Sequence, residues 1–245
     1  MKLKKLLGYI LSPLHYLMFG LFLLIFHPIQ WLSLKIGGYA GHKLSVDIMN
    51  FFLVGTYYII GCPVKFKNEY DLPTGRPIIF VANHQSMYDV SPMIWFLRKY
   101  HVKFVSKIEL TKGIPSISFN LKHGGAANID RQDPKQSIAE ILKLARRMKE
   151  NNWSAGIFPE GTRSKDGIMK PFILGGVTTI LKKVPHALVV PIAIENSWKL
   201  TQYGNYPLSF GENMKLTVLK PIDATGLSPD EVIQQAEKQI REFIT

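Results

Sequence analysis

The residues best suited to chemistry stand in the stretch FVANHQSMYD, where His84 and Asp89 are five positions apart, directly after the apolar run PIIFVA. On one uninterrupted helix such a pair points about 140° apart, so regular helical geometry keeps the two side chains from meeting. A loop leaving a strand brings them together instead. The aspartate then accepts a hydrogen bond from one ring nitrogen, fixes the tautomer and leaves the other nitrogen to act as a general base. The bland reading of a lone His and Asp is a solvated histidine beside a carboxylate that favours a helix N-terminus.

Two further strand ends carry charge. SAGIFP runs into EGTRSKDG, so Glu160 and Arg163 emerge where Gly161 lets the backbone turn. AANI runs into DRQD, so Arg131 leaves another strand terminus just before a capped helix. Taken singly, these read as a turn with paired charges and a surface salt bridge worth little. Taken together, the two arginines, Lys107 in SKIEL and a helix N-terminus have the chemistry to converge on a phosphate.

The elements that must position these residues follow from the apolar pattern. From Cys62 onward, VKFKNE, PIIFVA, VKFVS, AANID, SAGIFP, ALVVPIAI and MKLTVLK read as strands. DPKQSIAEILKLARRM reads as a helix with Asp133 as N-cap, Pro134 at the first helical position and Gln136 completing a capping box. Its apolar face is predicted to run through Ile138, Ile141, Leu142, Ala145 and Met148. SPDEVIQQAEKQIREFI repeats the device with Ser228, Pro229 and Glu231, and its face runs through Val232, Ala236, Ile240 and Phe243. SPMIWFLRKY starts a third helix, with Ser91 as N-cap and Pro92 next. Strands alternating with helices predict an α/β fold, a largely parallel mixed sheet of about seven strands flanked by helices. In such a sheet the site lies in loops at the carboxyl ends of strands, where His84 and Asp89 fall.

The first sixty or so residues differ from the rest. A basic start, MKLKK, leads into apolar segments broken by Pro13 and Pro28, then a glycine-rich bend, then LSVDIMNFFLVGTYYIIG. The run between the prolines is short of the roughly 20 residues that cross a bilayer. Asp47 and Asn50 are costly at membrane depth. A signal peptide, a single kinked span and two core helices of a soluble protein are alternatives. The preferred reading is a two-helix hairpin over residues 1–61, bending at residues 37–41 and lodged in one leaflet or on the membrane surface, ahead of an α/β domain over 62–245.

Composition narrows the partner. With 30 Lys+Arg against 18 Asp+Glu, the chain carries a formal charge of +12, which favours an anionic partner. The basic residues are scattered, and no zinc-finger spacing, RNP-like motif or long basic helix is present, so no nucleic acid partner is expected. One cysteine, Cys62, allows no intrachain disulfide and suits a reducing compartment. No H-E-x-x-H or other ligand spacing points to a metal, and no G-x-S-x-G elbow points to a serine nucleophile, so no cofactor and no covalent intermediate are expected.

Together, NHQSMYD and FPEGTRS resemble the glycerolipid acyltransferase family, in particular its bacterial 1-acylglycerol-3-phosphate acyltransferases. Both family patterns, N-H-x4-D and F-P-E-G-T-R-S, stand complete and in order. NIDR and VVPIAI resemble two weaker family blocks, so the likeness covers 62–221, and the preceding helices resemble the family's membrane-docking pair. The resemblance implies acyl transfer from acyl-CoA or acyl carrier protein to the sn-2 hydroxyl of lysophosphatidic acid, with His84 as general base and Asp89 orienting it. It implies that Glu160, Gly161, Thr162, Arg163 and Arg131 bind the acceptor, with Lys107 a further phosphate or oxyanion group. It also implies a place on the cytoplasmic face of the bacterial inner membrane. Still open are the same chemistry on another acceptor, hydrolysis with water as acceptor, and a lipid-binding protein without catalysis.

Overall fold

The computed structural model describes residues 2–244. At its centre lies β2 (Ile78–Ala82), buried along its whole length because parallel neighbours flank it and helices cover both of its faces. Those neighbours are β6 (Leu188–Glu195) and β5 (Ser154–Ile157). Beyond β5 come β3 (Val102–Lys107) and the short β4 (Ala127–Ile129), both parallel. On the other side β7 (Met214–Val218) pairs antiparallel with β6 and parallel with β1 (Val64–Lys67).

All seven expected strands form, and the sheet is mixed and mostly parallel. An eighth, β8 (Ile222–Asp223), pairs antiparallel with β6 and is too short to show any periodicity in sequence.

Alternation along each strand sorts the core into two layers. Ile79, Val81, Ala155 and Val189 face α4 (Pro134–Asn151), α5 (Gly175–Lys183) and α6 (Pro229–Ile244). Ile78, Phe80, Val190 and Ile194 face the opposite way, toward α2 (Val90–Phe96) and the N-terminal helices. In α6 the Ser228–Glu231 box forms in both directions, and Val232, Ala236 and Ile240 are buried as expected, while Phe243 is exposed. In α4 the buried stripe is Ile141, Leu144, Ala145 and Met148, and Ile138 is half exposed. The α4 cap is also only half the expected box. Asp133 accepts from Gln136 N, but the Gln136 amide reaches past it to Asp130 N and Asn128 O, tying the helix to β4.

The N-terminal segment is α1 (Lys2–Thr56), a helical run interrupted at Gly38, whose φ of 56° and ψ of −147° turn it into arms 2–37 and 39–56. This is the expected hairpin, with its bend inside 37–41. The elbow is tight: a Cβ on Gly41 would lie 2.6 Å from the Ser33 carbonyl oxygen. Pro13 and Pro28, expected to break the helix, lie inside it. Proline frees the carbonyl four residues earlier, and the one freed by Pro13, Tyr9 O, accepts a hydrogen bond from Tyr206 Oη at 3.1 Å.

Leu23 and Phe26 meet Met49 and Leu53 between the arms, and Val54, Tyr57 and Ile60 enter the core under the sheet. The outward face of both arms leaves Ile10, Leu17, Leu24, Ile36 and Leu44 exposed. Cys62 is buried beside this junction, and burial pushes its thiol up to about 12.

Candidate active site

β2 ends at Ala82, and the next residue pins the loop. Asn83 Nδ2 donates to Ile194 O at 2.9 Å, while Ile194 N donates to Asn83 Oδ1 at 2.7 Å, so this side chain extends the pairing of β2 with β6 beyond the last strand residue. His84 follows. The chain then curls into a 3-10 turn over Met87–Asp89, in which Ser86 Oγ accepts from Tyr88 N and Asp89 Oδ2 accepts from Ser86 N.

This turn closes the five-residue gap. His84 Nδ1 lies 2.8 Å from Asp89 Oδ2, and since a carboxylate only accepts, Nδ1 carries the proton and Nε2 is the free base. Asp89 stands at the position before α2, which begins at Val90, but its carboxylate completes the Ser86 capping box of the 3-10 turn and makes no cap bond to α2. The cap expected at Ser91 does not form: the capping box sits one turn earlier, at Ser86 and Asp89 of the 3-10 turn, and Ser91 and Pro92 lie inside the first turn of α2.

Asp89 is fully buried and well supplied with donors. Besides His84, its Oδ2 accepts from Gln85 N at 2.8 Å and Ser86 N at 2.9 Å. Such bonds fix its position. The His84 ring lies flat on Phe158, with centroids 4.1 Å apart at 19°, and Phe104 of β3 backs Phe158. Phe158 packs on the core layer shared with α1 and α2.

The segment after β5 closes over the histidine. Glu160 Oε1 accepts from His84 N at 2.6 Å and Oε2 from Lys170 N at 2.8 Å, and burial raises the pKa of this carboxyl while the two amide bonds oppose the rise. With each oxygen holding one backbone amide and the side chain buried, Glu160 ties the loop after β5 to the backbone of His84.

Gly161 sits at φ 68°, the left-handed region that favours glycine. Ser164 N donates to His84 O at 2.8 Å, and Lys170 Nζ reaches Thr162 Oγ1 at 2.7 Å and Arg163 O at 3.3 Å. The guanidinium of Arg163 is left exposed.

Lys107 and Arg131 occupy the same carboxyl edge, at the ends of β3 and β4, where Lys107 is in register with Ile129. At about 4.8 Å per strand, Arg163 is carried one strand from His84 and Arg131 three strands, about 14 Å. Among the described residues none of Lys107, Arg131 and Arg163 is in an ion pair. The structure thus joins His84, Asp89 and Glu160 by direct bonds, brings Gly161, Thr162 and Arg163 over them, and leaves Lys107 and Arg131 as free cations further along the edge.

Sequence reasoning missed Phe158, Ser164 and Lys170 around the histidine, and Ser197 behind the aspartate. The first two lie within FPEGTRS, where a flat ring and a small hydroxyl flank the charged turn. A further aromatic knot reaches the site from α1. His15 Nδ1 lies 3.1 Å from Thr56 O, its ring sits among Phe19, Tyr57 and Tyr88, and Tyr57 Oη donates to Tyr88 O at 3.2 Å. The first arm, through His15 and Phe19, and Tyr57, just past the second arm, therefore touch Tyr88, the residue next to Asp89.

A family model described as Acyltransferase matches residues 63–195. A chloroplastic 1-acyl-sn-glycerol-3-phosphate acyltransferase of Brassica napus is 32% identical over 174 residues, covering 70% of this chain and 48% of that protein. The chain spans about half the length of that relative and of a similar one from Arabidopsis thaliana. A human 1-acyl-sn-glycerol-3-phosphate acyltransferase alpha is 26% identical over 202 residues, covering 82% and 69% of the two chains. The crystal structure of the 1-acyl-sn-glycerophosphate acyltransferase PlsC from Thermotoga maritima superposes with a TM-score of 0.78 over 98% of this chain and 97% of that one, at 20% identity, a likeness of fold.

Proposed function

The chain belongs to the acyltransferase family, and from that premise we propose that it moves an acyl chain from a thioester, acyl-CoA or acyl carrier protein, to the sn-2 hydroxyl of 1-acylglycerol 3-phosphate, giving phosphatidic acid. The observation that carries this reading is the 2.8 Å bond between His84 Nδ1 and Asp89 Oδ2 at the carboxyl edge of the sheet, with the Arg163 loop closed over it.

His84 Nε2 takes the hydroxyl proton as the oxygen attacks the thioester carbonyl. The tetrahedral oxyanion then collapses, the carbon–sulfur bond breaks, and the imidazolium returns its proton to the leaving thiolate. Ester and free thiol are the products, and no protein atom is acylated. Asp89 holds the tautomer and stabilises the imidazolium, and general base catalysis of this kind contributes about 10²- to 10⁴-fold. Arg163 grips the acceptor phosphate with Gly161 and Thr162 beside it, Glu160 holds the loop to His84, and Arg131 and Lys107 draw the anion to the edge.

Residues 1–61 serve as the docking arm and 62–245 as the catalytic unit. The exposed apolar face of α1 enters one leaflet, and the positive chain sits on anionic lipid on the cytoplasmic side of the membrane. His15 and Tyr57 of the N-terminal segment pack on Tyr88, next to Asp89, which supports a route for lipid substrates from the bilayer to the base.

The test is an assay of the full-length protein with acyl-CoA or acyl carrier protein thioesters and a panel of lysophospholipid acceptors. Wild type should form phosphatidic acid, and His84→Ala and Asp89→Asn should each lower kcat by about 10²- to 10⁴-fold. Equal transfer by wild type and His84→Ala overturns the mechanism, and thioester loss without acylated lipid indicates hydrolysis.

A further inference from the structure

Asp89 is held by more than the loop that contains it. Its Oδ1 accepts a 2.5 Å hydrogen bond from Ser197 Oγ, on a residue 108 positions further along the chain. Ser197 is fully buried and opens the 3-10 turn that follows β6. Asn196 before it adopts φ 66°, in the left-handed region, with its side chain tied to Asn213 O at 3.0 Å. That bend carries the chain off the strand and under the histidine loop. A non-glycine residue held in this conformation costs energy, and such residues cluster where surrounding structure must aim a neighbour.

The contact belongs to a seam. Asn83 exchanges two hydrogen bonds with Ile194, Gln85 Oε1 accepts from Ser197 N at 3.1 Å, and Ser197 Oγ then meets Asp89. The loop after β2 is thus read off, residue by residue, by the end of β6. Within the loop the donors to Asp89 fall unevenly. His84 Nδ1, Gln85 N and Ser86 N all converge on Oδ2, whereas Oδ1 has only Ser86 Oγ at 3.4 Å from its own loop.

The terminal torsion of an aspartate is broad, so one well-held oxygen does not fix the plane of the carboxylate. Ser197 fixes the second oxygen, and with it the direction in which Oδ2 meets the imidazole. The Ser197 proton goes to Asp89 at 2.5 Å in preference to Gln85 Oε1 at 3.3 Å, because the carboxylate is the stronger and nearer acceptor.

We propose that Ser197 is a positioning residue for acyl transfer: from the end of β6 its hydroxyl sets the plane of Asp89 and so aims His84 Nε2 at the acceptor hydroxyl. This rests on the acyltransferase reading and adds to it a residue outside both motifs. Ser197→Ala removes one hydroxyl from the seam and leaves the substrate-facing groups in place. Ser197→Cys keeps a weak donor of similar shape.

The experiment is steady-state kinetics of the full-length protein and the two variants, with acyl-CoA and lysophosphatidic acid in phospholipid–detergent micelles. It is paired with proton NMR of the far-downfield His84 Nδ1–H resonance and with thermal melting. For Ser197→Ala, kcat should fall about ten- to a hundredfold, the range for one hydrogen bond to a charged group. KM for both substrates should stay within about twofold of wild type. The downfield resonance should shift or broaden, and Ser197→Cys should fall between the two.

If wild type transfers acyl chains and either variant matches its kcat with an unmoved resonance, this proposal is overturned while the activity stands. A rise in KM with unchanged kcat overturns it equally. If wild type transfers nothing, the acyltransferase reading itself fails. Should Ser197→Ala melt below the assay temperature, Ser197→Cys decides by the same criteria.

Discussion

His84 is held by three contacts. Asp89 fixes one nitrogen, Phe158 covers one face at 4.1 Å, and Glu160 holds the backbone from which the ring hangs. The side chain keeps 17% of its exposure, enough for a hydroxyl to reach Nε2 while bulk water is largely kept away. Arg163 is the opposite case, an exposed guanidinium one strand away and without a carboxylate partner among the described residues. A cation left free beside a base is available to an anionic substrate. Arg163→Ala should therefore raise KM for lysophosphatidic acid about ten- to a hundredfold, with a smaller change in kcat and none in KM for the thioester. Initial-rate kinetics with each substrate varied in turn checks this, and a change confined to the thioester KM would assign Arg163 to the donor.

At the scale of elements, the hairpin is fastened to the sheet at both ends. Near the turn that holds Asp89 the fastening is the knot of His15, Tyr57 and Tyr88. At the elbow it is Tyr39, the residue after Gly38. Its ring stacks on Trp153 at 4.5 Å, its hydroxyl meets His101 Nδ1 at 3.0 Å, and Lys103 Nζ sits 4.7 Å from the Tyr39 ring centroid and 4.8 Å from that of Trp153.

Burial, with the nearby Lys43 charge next, pushes Lys103 down from 10.5 to about 7, while Asp47 partly offsets the fall. The sign follows from linkage. Between about pH 7 and 10.5 the unfolded chain holds the Lys103 proton and the folded chain has lost it, so this group's contribution to stability rises with pH across that window. Below pH 7 the full penalty of a buried ammonium is present. Lys103→Met, which keeps the stem and removes the charge, should accordingly be more stable than wild type near pH 6.5. The gap should narrow steadily as pH rises toward 10, measured by denaturant unfolding at a series of pH values. A gap that does not vary with pH would mean that Lys103 stays protonated in its aromatic pocket.

Over the whole molecule, the two faces of the sheet have different tasks. One carries α4, α5 and α6 and completes the core, and the other carries α2 and α1. The outer surface of α1 holds large side chains that no part of the described chain covers, Leu17 at 66% exposure and Leu24 at 60% among them. Burying a leucine in an apolar phase is worth about 1.5–3 kcal/mol. The double variant Leu17→Glu, Leu24→Glu should thus lose about a hundredfold or more in binding to anionic vesicles, read by co-sedimentation, and its melting temperature should barely move. A fall in melting temperature with binding intact would show these residues to be core and not docking surface.

By itself the sequence determined the sheet's seven main strands, the hairpin and its bend, and the pair of motifs at the carboxyl edge, because each is written in local pattern. Alternation marks strands, Ser-x-x-Glu marks the start of α6, and glycine marks the places where φ turns positive, as at Gly38 and Gly161. The apolar stripe of α4 was legible only roughly, since whether Leu144 or Ile138 goes inside depends on how the helix is rotated on the sheet. Pro13 looked like a break because its missing hydrogen bond is local, while the hydroxyl that answers it, Tyr206, comes from the far end of the chain.

The same holds for the site. The spacing of His84 and Asp89 indicated a loop. Only the tertiary structure decided that Glu160 bonds the backbone of His84, that Phe158 floors the imidazole, and that Ser197 reaches the second oxygen of Asp89. Those contacts join residues brought together by strand order, and strand order is settled by the packing of the whole sheet, which no stretch of sequence contains.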